Sequence, residues 1–260
     1  MSLAKTIEAR GRVVGEGREP LICVPLLGRS RTAILDDLED LIVKGPDLIE
    51  WRVDYFEGAG DTSAVIDVAR AVRRGAGEIP VIFTLRSARE GGQPVDLGDE
   101  DAALLFVAAC AARVADFIDV EMSAPGEHVA RVRAACRDSG TRLILSFHDF
   151  HGTPDADQLL GRFRRAEELG GDVAKVAVMP RGPDDVLTLL AATLRASREL
   201  AIPLISISMG PIGVLSRTFG WMFGSTVTFA AGQDSSAPGQ LPIDDLKAVL
   251  ALLRTPGIGA

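Results

Sequence analysis

The stretch GDVAKVAVMP, residues 171–180, predicts a buried strand with a lysine at its centre. Lys175 lies in a short run of valines and alanines that has the length and composition of a fully buried parallel strand. A charged lysine is costly to bury there unless it is paired. Two interpretations stay open on this stretch alone: an ion-paired or snorkelling lysine, or an amine held neutral so that it can attack a carbonyl group.

Apolar runs of the same β type recur along the whole chain. They cover residues 21–24, 48–52, 81–85, 117–120, 143–147, 174–178, 204–208 and 227–230. Helical, amphipathic segments lie between them at 32–43, 64–74, 101–114, 127–138, 155–169, 184–199 and 243–253. Eight strands that alternate with helices pair in parallel, and eight is the number that closes a (βα)8 barrel. An open doubly wound sheet is the alternative, but PLLGRS at 25–30 is not its glycine-rich first turn.

The chain before the first of these runs has a different pattern. Residues 6–17 are polar and predict a hairpin, with Gly11, Gly15 and Gly17 as turn formers. We find no linker, low-complexity segment or repeat beyond the βα period in the rest. The sequence therefore predicts an α/β protein with one domain over residues 1–260, a single (βα)8 TIM barrel with an N-terminal β-hairpin.

Composition narrows the classes of function. Of 260 residues, 47% are hydrophobic and 25% charged, which are ordinary values for a globular protein. The net charge of −8 gives no support for nucleic-acid binding. The longest apolar run, 102–112, is too short to span a bilayer, and the N-terminus lacks the apolar core of a signal peptide. Three cysteines without metal-ligand spacing favour a reducing compartment. We expect a cytoplasmic protein without nucleic-acid or membrane partners.

Ionisable side chains follow several of the predicted strands. Active sites of such barrels lie at the carboxyl ends of the strands. The residues at those positions are Glu50, Arg52, Arg86, Asp119, Glu121, His148 and Asp149, together with Lys175 on its own strand. Glu50 and Arg52 differ by two, so they face the same side of their strand. A structural ion-pair network explains Asp119 and Glu121 as well as chemistry does, so we assign them no role.

His148 is the natural proton carrier beside a lysine nucleophile, because an imidazole titrates near neutral pH. A histidine at a strand end is nevertheless often only a hydrogen-bonded structural residue. A metal site at His148 and His151 is the alternative, but the chain has only three histidines and no matching carboxylate spacing. We expect no metal.

Two later segments have the composition of binding loops. In MGPIGVLSRTFG, residues 209–220, Pro211 lies near a predicted helix start and is followed by Ser216 and Arg217, an arrangement that suits an anion. In DSSAPGQLP, residues 234–242, small residues accompany Ser236 and Gln240. This second segment suits a mobile lid, although an ordinary connection would have the same composition.

Seven segments together carry a family resemblance. They are ICVPLLGR, DLIEWRVDYFE, IFTLRSAREGG, ILSFHDF, AKVAVMP, ISMGPIGVLSR and SAPGQLP. In this order, from the first strand to the last helix, they resemble the type I 3-dehydroquinate dehydratases, the Schiff-base-forming lyases of the shikimate pathway of aromatic amino acid biosynthesis. The motifs EWRVD, SFHDF and SAPGQ are the most specific of them.

The resemblance implies roles for individual residues. By that similarity Lys175 forms the Schiff base, His148 is the general acid and base, and Glu90, in RSAREGG, is the carboxylate that pairs with the histidine. The residues that would hold the substrate are Glu50, Arg52, Arg86, Arg217, Ser236 and Gln240. The implied reaction is the dehydration of 3-dehydroquinate to 3-dehydroshikimate by a carbon–oxygen lyase. It needs no metal or organic cofactor, because the lysine's iminium is the electron sink, and relatives often form homodimers.

One departure and two alternatives remain. Pro25 stands where some members have a serine, and a prolyl ring cannot donate the hydrogen bond that a hydroxyl would. A class I aldolase also uses a strand lysine, but many such enzymes have a glycine-rich phosphate loop near the last strands. MGPIGVLSRTFG and AAGQDSSAPGQ offer little of that pattern. A barrel kept only for binding would not need Lys175, His148 and Glu90 together.

Overall fold

The structure is a computed structural model that describes residues 5–15 and 19–253. Its strands are β1 (Ile7–Ala9), β2 (Arg12–Val14), β3 (Leu21–Leu26), β4 (Leu48–Arg52), β5 (Val81–Thr84), β6 (Phe117–Glu121), β7 (Arg142–Asp149), β8 (Val173–Val178), β9 (Leu204–Ser208) and β10 (Val227–Phe229). Its helices are α1 (Arg31–Val43), α2 (Thr62–Gly75), α3 (Asp99–Ala112), α4 (Gly126–Ser139), α5 (Ala156–Glu168), α6 (Pro183–Glu199), α7 (Val214–Phe219) and α8 (Ile243–Leu253).

Strands β3 to β10 form one parallel sheet that curls into a barrel. Each pairs with the next along the chain from β3 to β9, and β10 pairs with β3. The remaining edge, between β9 and β10, is joined at a bridge between Leu204 and Ser225, and Thr226 N–H donates to Leu204 O at 2.7 Å. The predicted (βα)8 barrel is confirmed as a nearly closed barrel, and the described part of the chain places eight helices around it. The open doubly wound sheet is excluded.

The predicted N-terminal hairpin is present and closes the amino-terminal end of the barrel. Its turn contains Gly11, which has a φ of 71° that few residues other than glycine adopt. Val14 is buried with the residues of the barrel interior. Arg10 Nε donates to Asp116 at 2.7 Å, which ties the hairpin to the start of β6. Gly17, the last of the expected turn formers, lies outside the described residues.

The barrel interior is apolar toward the amino ends of its strands and largely polar toward their carboxyl ends. Alternate residues of a strand point inward. The inward positions nearer the amino ends of the strands are occupied by members of one buried cluster: Cys23, Leu48, Ile82, Phe117, Ile144, Val173, Ile205 and Val227. Two residues further along five of these strands are Glu50, Thr84, Asp119, Ser146 and Lys175, all buried. The polar residues therefore meet at the carboxyl end of the barrel.

Three aspartates lie just before β4, β6 and β8, and each accepts a backbone N–H from the start of the preceding strand. The bonds join Asp47 Oδ2 to Ile22 N at 2.9 Å, Asp116 Oδ2 to Val81 N at 2.9 Å, and Asp172 Oδ2 to Leu143 N at 2.7 Å. They satisfy donors at the amino-terminal rim of the barrel and set the register between neighbouring strands.

Helices cover the outside of the barrel and bury a second, larger apolar cluster. Trp51 and Phe83 meet edge to face with ring centroids 5.6 Å apart, and Phe83 meets Phe106 of α3 at 6.0 Å. Helix starts carry local caps, such as Asp155, which accepts the Gln158 N–H at 2.8 Å. No helix within the described part of the chain is both long enough and apolar enough to cross a membrane.

Candidate active site

Lys175 lies in the middle of β8 and is 4% exposed. Its Nζ donates to Asp119 Oδ2 at 2.8 Å and to Glu50 Oε1 at 3.3 Å, and it lies 4.6 Å from the centre of the Phe229 ring. The two carboxylates come from β6 and β4, so the lysine is paired across the barrel interior. This pairing offsets the cost of burying the amine, and it holds Nζ at the carboxyl end of the barrel.

Asp119 is one of the two residues, with Glu121, to which the sequence assigned no role. Its Oδ1 accepts from Arg86 Nη2 at 2.7 Å and from Ser146 Oγ at 2.6 Å, while Oδ2 accepts from Lys175. Burial by itself would raise the pKa of Asp119, but Arg86 and Lys175 outweigh burial and hold that pKa well below its usual range. Asp119 is therefore an ionised carboxylate that connects the arginine to the lysine.

His148 is held by Glu90. Nδ1 of the imidazole lies 2.9 Å from Glu90 Oε2, the His148 backbone N–H donates to the same oxygen at 3.0 Å, and Ser123 Oγ donates to Glu90 Oε1 at 2.8 Å. When Glu90 is ionised, it can only accept at this contact, so the proton lies on Nδ1 and a lone pair is left on Nε2. Burial, reinforced by Arg86 and Lys175, lowers the pKa of His148 well below its usual value. The ring is neutral at pH 7 and can accept a proton.

Glu90 is buried, although its sequence, RSAREGG, resembles a solvated loop. The chain makes a short 3₁₀ turn that ends at Gly91, whose φ is 84°. A Cβ on Gly91 would lie 2.3 Å from the Phe150 ring, so only glycine fits. Burial and the neighbouring Glu121 raise the pKa of Glu90 to about 7, against the opposing effect of Arg86.

Two of the three predicted arginines are already paired with carboxylates. Arg52 donates to both oxygens of Asp54, at 2.8 and 2.7 Å. Arg86 donates to Asp119 and, through Nη1, to Glu121 at 3.3 Å. Asp119 and Glu121 therefore do belong to an ion-pair network at the barrel mouth, in addition to the contact with the lysine.

Arg217 differs from both. It is 2% exposed, and among the described residues no carboxylate pairs with it. Nη1 donates to Phe229 O at 3.3 Å, Nη2 donates to Pro238 O at 3.2 Å, and Nε has no partner in the part of the chain that the structure covers. Burial lowers the pKa of Arg217 to about 10, so the guanidinium is still charged at pH 7. It offers a buried cation to an anionic group.

Ser236 and Gln240 lie over the mouth of the barrel and bond to one another. The Ser236 N–H donates to Gln240 Oε1 at 2.8 Å, and Gln240 Nε2 donates to Ser236 Oγ at 3.1 Å. Together with Arg217 and Lys175 they line a cavity of about 40 Å³. The structure thus brings all the predicted site residues to one cavity: Glu50, Arg52, Arg86, Glu90, His148, Lys175, Arg217, Ser236 and Gln240.

His151 and Pro25 do not line that cavity. His151 is exposed, and its backbone N–H donates to Asp149. Within 5–15 and 19–253, no three histidine, cysteine, aspartate or glutamate side chains are grouped as a metal site would require. Pro25 lies beside Glu50 in the β3–β4 ladder and faces a different, smaller cavity.

Comparison with known proteins places this site in a family. The family model for type I 3-dehydroquinase matches residues 22–256. The chain is 48% identical to the 3-dehydroquinate dehydratase of Aromatoleum aromaticum, over 98% of both chains. It is 50% identical to that of Albidiferax ferrireducens, over 98% of this chain and 96% of the relative.

Solved structures agree with the sequence comparison. The crystal structure of 3-dehydroquinate dehydratase from Geobacillus kaustophilus superposes with a TM-score of 0.94 at 47% identity, over 97% of each chain. The type I enzyme from Clostridium difficile, solved with covalently modified comenic acid, gives 0.92 at 36% identity, over 96% of this chain and 98% of that one. A 3-hexulose-6-phosphate synthase, at 18% identity and a TM-score of 0.58, shares the fold alone. The chain belongs to the type I 3-dehydroquinase family.

Proposed function

We propose that the chain converts 3-dehydroquinate to 3-dehydroshikimate through a Schiff base on Lys175, with His148 as general acid and base. Family membership and identities near 48% over the full chain support the dehydratase reaction, which is that of a hydro-lyase. One observation carries the mechanism: a buried lysine, a neutral histidine held by a carboxylate, and a buried arginine line one cavity, and no described carboxylate pairs with that arginine.

Lys175 is the nucleophile in this proposal. Its ammonium gives one proton to His148, the freed amine attacks the C3 ketone of 3-dehydroquinate, and a nitrogen–carbon bond forms. The ketone oxygen leaves as water, with one proton from the nitrogen and the one returned by His148. The product is a protonated imine that withdraws electrons and acidifies the neighbouring C2–H bond. Asp119 and Glu50 support this step because they hold Nζ in a fixed direction through hydrogen bonds.

His148 transfers the protons. Its Nε2 removes the C2 proton, and the same proton then goes to the C1 hydroxyl, which leaves as water while the carbon–carbon double bond forms. Glu90 fixes the ring and the Nδ1–H tautomer through the 2.9 Å contact. A positioned acid–base group of this kind contributes about 10²–10⁴-fold to the rate. Hydrolysis of the imine then releases 3-dehydroshikimate and restores the amine.

The remaining site residues would bind the substrate. Arg217 has the charge and the unused donor to pair with the C1 carboxylate, in a bidentate contact that lysine could not reproduce. Ser236 and Gln240 can exchange their mutual hydrogen bonds for bonds to substrate hydroxyls. Arg52 and Arg86 are already paired with Asp54 and Asp119, so we assign them a role in setting the charge and shape of the pocket wall.

Borohydride trapping tests the proposal. Reduction in the presence of 3-dehydroshikimate should inactivate the enzyme, and peptide mass spectrometry should find the adduct on Lys175. Lys247→Ala is the control, because Lys247 lies outside the cavity and donates to the backbone oxygen of Gly45. An adduct on another lysine, or an active Lys175→Ala protein, would refute the Schiff-base assignment.

We further propose that residues 1–260 form one domain and that the enzyme is a cytoplasmic homodimer. The three cysteines are free and buried, which suits a reducing compartment. Ile212, Leu215 and Met222, each nearly half exposed around α7, supply apolar surface for a partner. Light scattering should give twice the 27.5 kDa chain mass, and urea should unfold the protein in one transition. A monomer mass or two transitions would contradict these assignments.

A further inference from the structure

A second cavity, of about 500 Å³, lies beside the active site and is far larger than the 40 Å³ cavity at Lys175. It opens between the segment that follows β5 and helices α3 and α4. Small-molecule sites in proteins measure about 300–1,000 Å³ and are mostly apolar. The second cavity has this size, and nothing in the proposed reaction uses it.

The walls of the second cavity are mainly apolar. The main contributors are Val95, Leu97, Ala103, Phe106, Val120 and Val132. Phe106 and Val132 come from α3 and α4, whereas Val95 and Leu97 come from the segment between β5 and α3. An apolar ligand body would be stabilised here in proportion to the apolar area that it removes from water.

The charged side chains of the second cavity neutralise one another. Arg86 lies 3.3 Å from Glu121, and Arg89 lies 3.2 Å from Asp99. Among the described residues of the wall, every charged side chain has a partner of opposite charge, in contrast to Arg217 in the active site. A neutral ligand therefore fits this cavity, because an ionised one would lose solvation without gaining a counter-ion.

Two polar groups of the wall are unused by the protein. No described residue hydrogen-bonds the side-chain amide of Gln93, although its backbone N–H donates to Asp54 at 2.9 Å. Nδ1 of His128 is buried and has no partner in the described part of the chain, while Nε2 lies 2.9 Å from Glu100 Oε2. A ligand with one hydroxyl or amide group could satisfy a group of this kind.

We propose that the second cavity is a ligand site, distinct from the active site, for a small neutral molecule with an apolar body and one hydrogen-bonding group. Of the described residues, Arg86 alone lines both sites. The proposal rests on the shape and charge of the cavity, so it stands or falls independently of the Schiff-base mechanism.

Ligand-detected NMR titration of the full chain tests the site with three probes that share one ring. We expect p-cresol to bind at one site and 3-dehydroshikimate not to displace it. Toluene lacks the hydroxyl and should bind about tenfold more weakly, which is the effect of one hydrogen bond. The anion 4-methylbenzoate should bind at least about tenfold more weakly than p-cresol, because both described arginines of the wall are already paired with carboxylates.

Two alanines of α3 supply matched variants. Ala102 lines the cavity, so Ala102→Phe should fill it and abolish p-cresol binding, whereas Ala111→Phe, on the exposed face of the same helix, should not. If Ala102→Phe fails to fold, Ala102→Leu should still weaken binding about tenfold, and Gln93→Met should remove the preference for p-cresol over toluene. Absence of p-cresol binding, equal binding to the Ala102 and Ala111 variants, or displacement by 3-dehydroshikimate would overturn the proposal.

Discussion

Replacing Arg217 by methionine is expected to stabilise the free protein while it removes recognition of the substrate. Burial lowers the pKa of Arg217 to about 10, which corresponds to about 3 kcal/mol at 1.36 kcal/mol per pKa unit. Because the pKa of this cation is lower in the folded chain than in the unfolded chain, the charge disfavours folding at every pH below about 10. The residue is 2% exposed, so solvent screening does not reduce this cost.

Two hydrogen bonds offset part of that cost. Arg217 donates to the backbone oxygens of Phe229 and Pro238, and each bond contributes about 1 kcal/mol. The net expectation for Arg217→Met is a gain of about 1 kcal/mol in the free energy of unfolding at pH 7.

Arg86→Met is the matched control, since Arg86 is also buried, at 3% exposure. Burial alone would lower the pKa of Arg86, but Asp119 and Glu121 outweigh it and raise that pKa above its usual value. Removing this arginine leaves buried Glu121 without its cation and Asp119 with Lys175 alone, and should cost about 3–5 kcal/mol.

Urea unfolding at pH 7, with and without 3-dehydroshikimate, measures both effects. The product should raise the unfolding midpoint of the wild type and leave that of Arg217→Met unchanged, because the carboxylate has lost its partner. The reasoning is refuted if Arg217→Met loses as much stability as Arg86→Met, or if the product still stabilises it.

Three further predictions concern the other site residues. His148→Ala should still yield a borohydride-trapped adduct but almost no turnover, whereas Glu90→Gln should lose less kcat because it removes only the orienting group; near wild-type kcat in His148→Ala would exclude the acid–base role. Because the pKa of Glu90 is raised from about 4.5 to about 7, the folded chain keeps a proton that the unfolded chain loses, so stability falls as pH rises through that window. Relative to wild type, Glu90→Gln should therefore become more stable by up to about 3 kcal/mol between pH 4.5 and pH 8 in urea unfolding, and a constant difference would contradict the burial argument. Limited proteolysis should cut residues 234–240 first, and 3-dehydroshikimate should protect them. Ser236→Ala and Gln240→Ala should each lower kcat/KM by a factor that corresponds to about 1–3 kcal/mol. Equal cleavage with and without product would mean that the segment is an ordinary connection.

The barrel could be predicted from sequence because each strand of the barrel contains a run of apolar residues. The bounds of β4 and β9 agree with the apolar runs at 48–52 and 204–208. Strand β7 extends to Asp149, two residues beyond its apolar run, because pairing with β8 continues through His148, which lies opposite Ala177. Hydrogen-bonded pairing depends on both strands, so a prediction from the composition of one strand places its end too early.

The site was only partly accessible to sequence reasoning. Lys175 and His148 stand out because their own chemistry conflicts with an apolar strand. Glu90 has no such local signal, and only the family resemblance singles it out, because its burial comes from contact with a residue 58 positions away. Asp119 meets Lys175 across 56 positions, and β7 lies between their strands. Neither contact leaves a trace in the spacing of residues.

The three aspartates at the amino-terminal rim have a consequence for the opposite end of the barrel. Each stands three residues before one of the charged residues that meet at Lys175: Asp47 before Glu50, Asp116 before Asp119, and Asp172 before Lys175 itself. A parallel ladder that slips by one residue would turn every inward side chain outward. Each aspartate joins the start of its strand to the preceding strand and so holds the register. In this way, residues remote from the substrate keep the Lys175 amine at the same height in the barrel as Glu50 and Asp119. The precision of the reactive end is therefore built at the end that never meets the substrate.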